Sequence, residues 1–408
     1  MTNLPQGWEV KKLGEISEII TGSTPSKNNL DFYGKDYPFF KPSDFEQGYF
    51  LENAGDNLSK LGFDKARQLP PKTILVVCIG SLGKVALTRV IGSCNQQINA
   101  IIPHKNIIAE YIYYYCISSK FQSILFSKAP QTTLAILNKT EFSKLEIIYP
   151  KNIKEQERIV GILDESFAKI DESIKILEQD LLNLDELMQS ALQKAFNPLK
   201  DNAKENYKLP QGWEWKNLGE IANTSSGGTP SRNKKEYWEN GNIKWLKSGE
   251  LNDGYIDFIE ENITEEAIKN SSAKIFQKGT LLIAMYGATA GKLGILNLDS
   301  TTNQAICAFL HKDKNIKFLE KFLFYFLFFL RDKIIKDSFG GAQPNINQTY
   351  IKNLQIPLPP IKEQEQIASH LDELSSHVKN LKQNYQAQIK DLQELKNSLL
   401  DKAFKGNL

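Results

Sequence analysis

One segment is written twice in this chain. LPQGWEVKKLGEI (residues 4–16) returns as LPQGWEWKNLGEI (residues 209–221), about half of the 408 residues later. Stacked solenoid units recur every ~20–50 residues, so a repeat at this distance indicates that a whole domain was duplicated. A chain of this length also exceeds what a single hydrophobic core normally serves. We therefore expect two modules of the same architecture.

The duplication continues through each half in the same order. TILVVCIGSLGKVAL (residues 73–87) matches TLLIAMYGATAGKLGIL (residues 280–296), and IKEQERIVGILDE (residues 153–165) matches IKEQEQIASHLDE (residues 361–373). Residues 31–67 and 236–274, in contrast, match poorly. The similar segments are expected to form a common scaffold, and the divergent ones to carry tasks that differ between the modules.

Each module is followed by a run of apolar residues with a sustained spacing of four and three. This period predicts the seam of a coiled coil. Two such helices in one chain can pair antiparallel, and pairing between two chains is the alternative. The seam residues, which are also candidates for partner docking, are Leu163, Phe167, Ile170, Ile174, Leu177, Leu181 and Leu184, followed by Ile367, Leu371, Leu374, Val378, Leu381, Leu392 and Leu395.

These patterns predict an α+β fold. Short β-like runs between Gly, Asn and Pro breakers alternate with helical runs in each module. We expect two similar globular domains separated by two long helices that pair as an antiparallel coiled coil, with a pseudo-two-fold axis. The predicted boundaries are 1–150 for the first globular domain, 151–206 for the first helix and linker, 207–360 for the second globular domain and 361–408 for the last helix.

Composition argues against several classes of protein. Four cysteines without CxxC spacing do not suit a disulfide scaffold or a zinc ribbon and fit a reducing cytosol. The nine-residue run FLFYFLFFL (residues 322–330) is far shorter than the ~20 apolar residues that a bilayer requires, so it predicts a buried helix. No apolar signal core opens the chain. A cytoplasmic protein without a membrane segment is expected.

Charge is distributed unevenly along the chain. The total is only +2, but residues 1–150 and 207–360 each carry +3, whereas residues 151–206 carry −4. A polyanion would therefore meet the two globular modules rather than the first helix. His104 and His311 have no Cys or carboxylate partner at ligand spacing, and His370 and His377 are expected on a solvated face of the last helix, so no metal and no cofactor are expected.

Two glycine turns invite comparison with phosphate-binding loops. GSLGK (residues 80–84) and GATAGK (residues 287–292) are too short for a nucleotide-binding P-loop and lack the Ser or Thr that must follow. A turn of this kind can still offer backbone N–H groups and one lysine to a single phosphate. The alternative is a plain hairpin turn with a solvated lysine.

A second loop has the composition of a contact to a sugar-phosphate backbone. GSTPSKN (residues 22–28) and GGTPSRN (residues 227–233) combine glycine, hydroxyls and a cation, although the hydroxyls could instead cap a local turn. The amides near residues 95–97 and 303–304 could read adenine or could bond backbone. The candidate DNA contacts are Thr24, Ser26, Lys27, Lys41, Ser81, Lys84 and Gln96, and in the second half Thr229, Ser231, Arg232, Lys247, Thr289, Lys292 and Gln304.

The order of these motifs, repeated with a heptad helix after each set, resembles the specificity subunit of a Type I restriction–modification system along essentially the full chain. The resemblance implies that each globular module is a target recognition domain for one half of a split, asymmetric DNA site. It further implies that the helices fix the gap between half-sites and dock two methyltransferase subunits, which restriction and translocase subunits then join. Members of the family have no catalysis of their own.

Three alternatives make different predictions. A stand-alone methyltransferase or nuclease would need an S-adenosylmethionine loop, an Asn-Pro-Pro-type motif or a carboxylate–lysine core, and none is found. A coiled-coil scaffold unrelated to DNA would not bind duplex at low salt. The recognition subunit of a related system, with fused cutting and methylating subunits, would be distinguished by its neighbouring genes.

Overall fold

The computed structural model describes residues 4–129, 135–196, 209–312, 318–337 and 346–408. The chain forms two compact units, Met1–Glu178 with Tyr385–Leu408 and Gln179–Asn384. Each unit thus contains one globular module together with a part of each long helix. The long helices are divided between the two units and do not form compact units of their own.

The first unit is built from ten strands and five shorter helices among its described residues, followed by the first long helix. The strands are β1 (Trp8–Lys12), β2 (Ser17–Thr21), β3 (Tyr33–Phe40), β4 (Phe50–Leu51), β5 (Asp56–Leu58), β6 (Ile74–Val77), β7 (Val85–Thr88), β8 (Ser93–Cys94), β9 (Ile98–Pro103) and β10 (Glu146–Pro150). The helices are α1 (Leu13–Ile16), α2 (Lys60–Lys65), α3 (Ala109–Ile117), α4 (Ser119–Lys128), α5 (Lys139–Ser143) and the long α6 (Ile153–Phe196).

A five-stranded sheet with the order β2-β9-β6-β7-β4 forms the centre of this unit, and smaller sheets, β5-β3-β8 and β1-β10, flank it. The central strand β6 is buried on both faces. Ile74 and Val76 join one hydrophobic cluster, whereas Leu75 and Val77 join another. This division follows from the two-residue period of a strand, and it explains why the run ILVV is apolar throughout.

The second unit repeats this plan. Its strands are β11 (Glu214–Asn217), β12 (Ala222–Ser226), β13 (Ile243–Leu246), β14 (Gly254–Ile256), β15 (Asn262–Ile263), β16 (Ile275–Phe276), β17 (Leu281–Ala284), β18 (Leu293–Leu296), β19 (Ser300–Thr302), β20 (Ile306–His311) and β21 (Gln355–Leu358). Its helices are α7 (Leu218–Ile221), α8 (Glu265–Lys269), α9 (Glu320–Lys336), α10 (Gln348–Asn353) and the long α11 (Ile361–Ala403). The central sheet, β12-β20-β17-β18-β14, has the same order of corresponding strands as in the first unit.

The aromatic run of the second module lies in α9 and is buried, as predicted. Phe322, Phe324, Tyr325 and Phe326 all belong to the core of this unit. In the described residues, no helix is long and apolar enough to cross a membrane. The corresponding segment of the first unit is divided at Ser118, whose hydroxyl accepts a hydrogen bond from the N–H of Phe121 and so caps α4.

The two long helices pair antiparallel within each unit. In the first unit, the end of α11 packs Leu400 and Phe404 into the core that contains Leu163 of α6. In the second unit, the end of α6 packs beside the beginning of α11, and Leu192 shares a core with Leu371. The stripe predicted for α6 is confirmed, because all seven of its residues are buried or half-buried.

The stripe predicted for α11 is wrong at two positions. Leu381 and Leu395 are exposed, with 39% and 46% of their surface accessible. Lys382 and Lys396 take their places beside α6, and their ammonium groups pair with Asp185 and Asp171 respectively. A lysine can serve in this way because its aliphatic stem covers apolar surface while its charged end reaches water.

Candidate nucleic-acid interface

Four loops meet at one end of the central sheet in the first unit. They are the TPS loop (residues 22–28), which follows β2, the amide loop (residues 95–97) between β8 and β9, the loop that begins at Lys41 after β3, and the glycine turn (residues 78–84) between β6 and β7. We call this set, and its counterpart in the second unit, the loop cluster. Twelve of the fourteen candidate DNA contacts lie in the TPS loops, amide loops and glycine turns, and Lys41 and Lys247 begin the loops after β3 and β13.

Hydrogen bonds hold the TPS loop, the amide loop and the loop after β3 together in the first unit. In the TPS loop, the N–H of Ser23 donates to the carbonyl of Cys94 at 2.9 Å, and the hydroxyl of Thr24 donates to Oε1 of Gln96 at 2.5 Å. The N–H of Asn95 donates to the carbonyl of Phe40, directly before Lys41, at 3.0 Å. These bonds bring three separate loops to one place.

Glycine permits the close approach of the TPS loop to the amide loop. A Cβ atom at Gly22 would overlap the carbonyl oxygens of Cys94 and Asn95, and one at Gly227 would overlap the carbonyl oxygen of Thr302. Any larger residue would therefore separate the two loops. This contact explains why each TPS motif begins with glycine.

The second unit makes the same contacts with its own residues. The N–H of Gly228 donates to the carbonyl of Thr302 at 2.9 Å, and the hydroxyl of Thr229 donates to Oε1 of Gln304. The N–H of Asn303 donates to the carbonyl of Leu246, which precedes Lys247, at 2.9 Å. Because the threonine occupies the amide oxygen, the NH₂ group of the glutamine remains available as a donor.

The two kinds of amide in these loops have different roles. Oδ1 of Asn95 accepts the N–H of Gln97 at 3.1 Å, and Oδ1 of Asn303 accepts the N–H of Ala305 at 3.2 Å, so both asparagines shape the backbone. Gln96 and Gln304, in contrast, are exposed. The glutamines are therefore the amides placed to meet a ligand.

The glycine turns are tight connections between antiparallel strands. Gly80 and Gly83 have φ values of 82° and 89°, and Gly287 and Gly291 have φ values of 82° and 80°. Only glycine adopts such values at low energy, so the turns need these residues for their shape. The hairpin reading is confirmed, and contact to a phosphate remains a prediction. Of the polar candidates in these turns, Ser81 and Lys292 are exposed, whereas Lys84 and Thr289 are half-buried.

Several candidate cations are paired with carboxylates that sequence reasoning missed. Nζ of Lys84 lies 2.5 Å from Glu46, and Lys41 pairs with Asp56. The side chain of Glu46 is 77% exposed. Ion pairs between exposed side chains contribute only about 0.2–1 kcal/mol to the stability of the fold. Such a lysine can therefore exchange its carboxylate for a phosphate at small cost.

In the second unit, one carboxylate holds two candidate cations. Glu261 accepts from Nη1 of Arg232 at 2.6 Å and from Nζ of Lys247 at 2.7 Å. Burial alone would raise the pKa of Glu261, but the bonds from Arg232 and Lys247 bring it below its ordinary value of 4.5. The acids recur in the repeat, because Asp56 and Glu261 follow Lys41 and Lys247 at nearly the same distance, and this signal could have found them.

Five of the six candidates of the TPS loops are exposed. Lys27 makes no ion pair in the part of the chain that the structure describes, whereas Arg232, its counterpart, lies over the ring of Trp238. Trp238 and Trp245 line the second cluster and were not predicted. The exposed members of this set are Ser26, Lys27, Thr229, Ser231 and Arg232, and Thr24 is half-buried.

The poorly matching stretches adjoin the loop clusters. Residues 31–67 contain β3, β4, β5 and α2, and residues 236–274 contain β13, β14, β15 and α8. In both units the first of these strands pairs parallel with the short strand that leads into the amide loop. Sequence differences in these stretches therefore change the surroundings of the loops, whereas the arrangement of the loops is the same in both units.

The described residues contain no group of three or more His, Cys, Asp or Glu side chains that could hold a metal ion. All four cysteines are buried, and burial raises the pKa of the Cys78, Cys94 and Cys307 thiols to about 12. Thiols with such pKa values are inert at neutral pH. The candidate interface thus consists of hydroxyls, amides, aromatic rings and cations, several of which are paired with carboxylates.

The chain combines a repeated α+β module, paired long helices and loop clusters that carry cations. Sequence comparison identifies the class of protein with these features. The chain matches the family described as the Type I restriction modification DNA specificity domain over residues 5–181 and again over residues 210–391. It therefore belongs to this family. The two matched ranges follow the internal duplication.

Relatives match either the whole chain or one half. The Type I restriction enzyme MjaIX specificity subunit of Methanocaldococcus jannaschii is 26% identical over 99% of this chain and 94% of its own length. The HindI specificity subunit of Haemophilus influenzae is 37% identical, but over only 44% of this chain and 40% of that protein.

Solved structures share the fold. One chain, from a structure that describes complex assembly and conformational transition of the type I R-M system, superposes with a TM-score of 0.81, covers 100% of both chains and is 22% identical. The HsdS subunit from Thermoanaerobacter tengcongensis gives a TM-score of 0.61 at 22% identity, with 99% of this chain and 98% of that chain covered.

Proposed function

We propose that this chain is the specificity subunit of a Type I restriction–modification complex and that each loop cluster reads one half of a split DNA site. One observation carries the proposal. The same four loops, joined by the same Thr–Gln hydrogen bond, present exposed cations and amides in both units. Two similar but non-identical readers suit a bipartite, asymmetric sequence.

The chemistry of the loop cluster suits a nucleic acid. Hydroxyls, backbone N–H groups and lysines are the usual partners of phosphate oxygens, whereas glutamine and arginine can also address base edges. Because the carboxylates that pair with Lys41 and Lys84 are accessible, DNA phosphates can replace them. In this proposal, Ser81, Thr289 and Lys292 meet the backbone, and Gln96 and Gln304 face the bases.

The long helices are proposed as the docking surface for two methyltransferase subunits, which restriction and translocase subunits would join. Several apolar side chains on these helices face solvent and support this role. In the first unit these side chains are Ile176 and Leu395, and in the second unit they are Leu182, Leu187 and Leu381. Apolar side chains of this size are typical of the centres of protein–protein interfaces. The chain itself would contribute recognition, and its partners the chemistry, in the cytoplasm.

The decisive experiment is to sequence methylated bases in the host genome with this gene intact and with it deleted. A split motif, two short half-sites around a fixed gap, should be present only with the gene intact. If both strains carry the same modified motifs, duplex binding by the complex of this chain with its methyltransferase is measured next. Failure to bind any duplex at low salt would reject the proposal.

A further inference from the structure

Arg232 is held in one pose by three neighbours within its own unit. Its guanidinium carbon lies 3.7 Å from the ring centre of Trp238 and 4.7 Å from that of Trp245, and Nη1 donates to Glu261. The planes of the two indole rings are nearly perpendicular, at 89°, and the guanidinium lies between the two rings. Among the described residues, stacking and one charged hydrogen bond leave the other N–H donors of the arginine available for a ligand.

Hydrogen bonds connect both indole rings to the TPS loop. Nε1 of Trp238 donates to the carbonyl of Ser231 at 3.1 Å, and Nε1 of Trp245 donates to the carbonyl of Gly228 at 3.0 Å. Trp245 is buried, with 2% of its surface accessible. The position of the guanidinium is therefore fixed relative to the loop that also carries Thr229.

Glu261 is fixed as well, because its second oxygen accepts from Lys247. Only 26% of the Glu261 side chain is accessible, compared with 51% of the Arg232 side chain. The less accessible carboxylate thus holds the guanidinium in place through a hydrogen bond, and the arginine side chain is the more exposed of the two. Since Lys247 begins the loop after β13, the support connects two loops of the cluster.

The first unit has no such arrangement at the corresponding place. Lys27 stands where Arg232 stands in the repeat, and among the described residues it makes neither an ion pair nor a ring contact. A lysine is a mobile point charge, whereas arginine presents a planar fork of donors. The two units therefore differ at this position, because only arginine presents its donors in a fixed planar arrangement.

We propose that Arg232 reads a guanine in the half-site of the second unit, and that Glu261 is its positioning residue. A bidentate bond from arginine to O6 and N7 of guanine is the most frequent specific contact in the major groove. It requires the orientation that the indoles and Glu261 impose, and a side chain ordered in advance loses less entropy on binding. Arginine can also bind a phosphate through two N–H groups, and a loss of preference for one base pair distinguishes the guanine contact from a phosphate contact. The inference rests on the proposed function and replaces the phosphate contact expected for Arg232 from the sequence.

The test compares Arg232→Lys, Glu261→Gln and, as the matched control in the first unit, Lys27→Ala. Each chain is assembled with its methyltransferase subunits, and bound duplexes are selected from a random library at two salt concentrations. Arg232→Lys should lose preference for one G·C pair in one half-site by about 10- to 100-fold. Glu261→Gln should relax the same position in part. Lys27→Ala should weaken all sequences alike.

The other half-site serves as an internal control, because its unchanged selection shows that the variant is folded and assembled. If Arg232→Lys keeps the preference for every G·C pair, or lowers affinity for all sequences equally, the guanine contact is wrong while the proposed function stands. If the unmodified complex selects no split motif, the proposed function fails and the inference with it.

Discussion

Oε1 of Gln156 accepts a hydrogen bond from the backbone N–H of Ile108 at 2.9 Å, and Gln364 makes the equivalent bond with Leu319 at 2.8 Å. Both glutamines come from the repeated motif IKEQE and are fully buried. Ile108 directly precedes α3, so its N–H lies at the free N-terminal end of that helix. The first turn of each long helix thus caps a helix of the neighbouring globular module.

Replacing Gln156 with Leu should therefore destabilise the first unit. Nε2 of Gln156 also donates to the carbonyls of Pro150, at 2.9 Å, and Asn106, at 3.3 Å. The variant leaves one buried and two partly buried backbone groups without their partner, which should lower the free energy of unfolding by about 2–4 kcal/mol. Chemical denaturation followed by hydrogen exchange in residues 104–112 measures the change.

Gln179→Leu is the matched control, because Gln179 is exposed on the same helix. This control should change the free energy of unfolding by less than about 0.5 kcal/mol. Equal effects of the two substitutions would show that the buried hydrogen bonds of Gln156 contribute little.

Gly22→Ala should disrupt the first loop cluster. The added methyl group overlaps two carbonyl oxygens, and relieving the overlap should cost roughly 1–3 kcal/mol. Selection of one half-site should weaken while the other is retained. Gly161→Ala, in an open position of α6, should instead stabilise the helix by up to about 1 kcal/mol. Unaltered DNA selection by Gly22→Ala would mean that the TPS loop does not need its contact with the amide loop.

Two leucines of α11 should respond differently to the same substitution. Leu400 is buried at 2% exposure, so Leu400→Ala should lower the free energy of unfolding by about 2–5 kcal/mol. Leu395 is exposed, and Leu395→Ala should cost less than about 1 kcal/mol. Urea denaturation of both variants makes the comparison. A large loss in Leu395→Ala would restore that leucine to the seam.

Glu261 should make stability depend on acid pH. Its pKa is lowered in the folded protein, so the ionised carboxylate stabilises the fold above the unfolded value near 4.5 and loses this effect as the pH falls through the folded pKa. Glu261→Gln should be less stable than the unmodified protein at pH 7, by about 1 kcal/mol or less for each lost pair. The difference should shrink as the pH falls below 4.5 and vanish below the pKa of Glu261 in the folded protein. Urea midpoints from tryptophan fluorescence test this, and a pH-independent difference would contradict it.

Lys292 should contribute to DNA binding through charge alone. It is exposed, and Lys292→Ala should weaken all duplexes alike and lower the slope of log affinity against log salt by about one. Titrations of duplex at several salt concentrations measure the slope. Glu46→Gln provides the opposite change, because removing the carboxylate that pairs with Lys84 should strengthen binding. An unchanged slope in Lys292→Ala would exclude a phosphate contact there.

Much of the fold could be predicted because its signals are local or repeated. The heptad spacing of α6 predicts its buried stripe correctly, and the β-like run that contains ILVV forms a strand, which the structure shows to be buried on both faces. The stripe of α11 fails at Leu381 and Leu395 because apolar spacing does not register that a lysine stem can cover a seam. Lys396 does so, with its ammonium 4.8 Å from the ring centre of Phe167.

The candidate site could be predicted only in part. Hydroxyls and cations in a glycine-containing loop indicated its location, but their partners come from other loops. Thr24 and Gln96 are 72 residues apart, and Arg232 and Glu261 are 29 apart. Contacts at such separations depend on tertiary packing, which local spacing does not encode. The carboxylates that pair with the cations were not predicted, because cations and hydroxyls are the groups that indicate a phosphate contact.

The contact between Gly22 and the amide loop also bears on how such proteins can diverge. Because backbone atoms and one Thr–Gln pair hold the loops together, the exposed residues around them carry little of the folding energy. Lys27 and Arg232 illustrate the outcome, since one position has accepted two different cations with two different sets of neighbours. A lineage can thus exchange the exposed side chains of one module by mutation or recombination and inherit the rest of the protein unchanged.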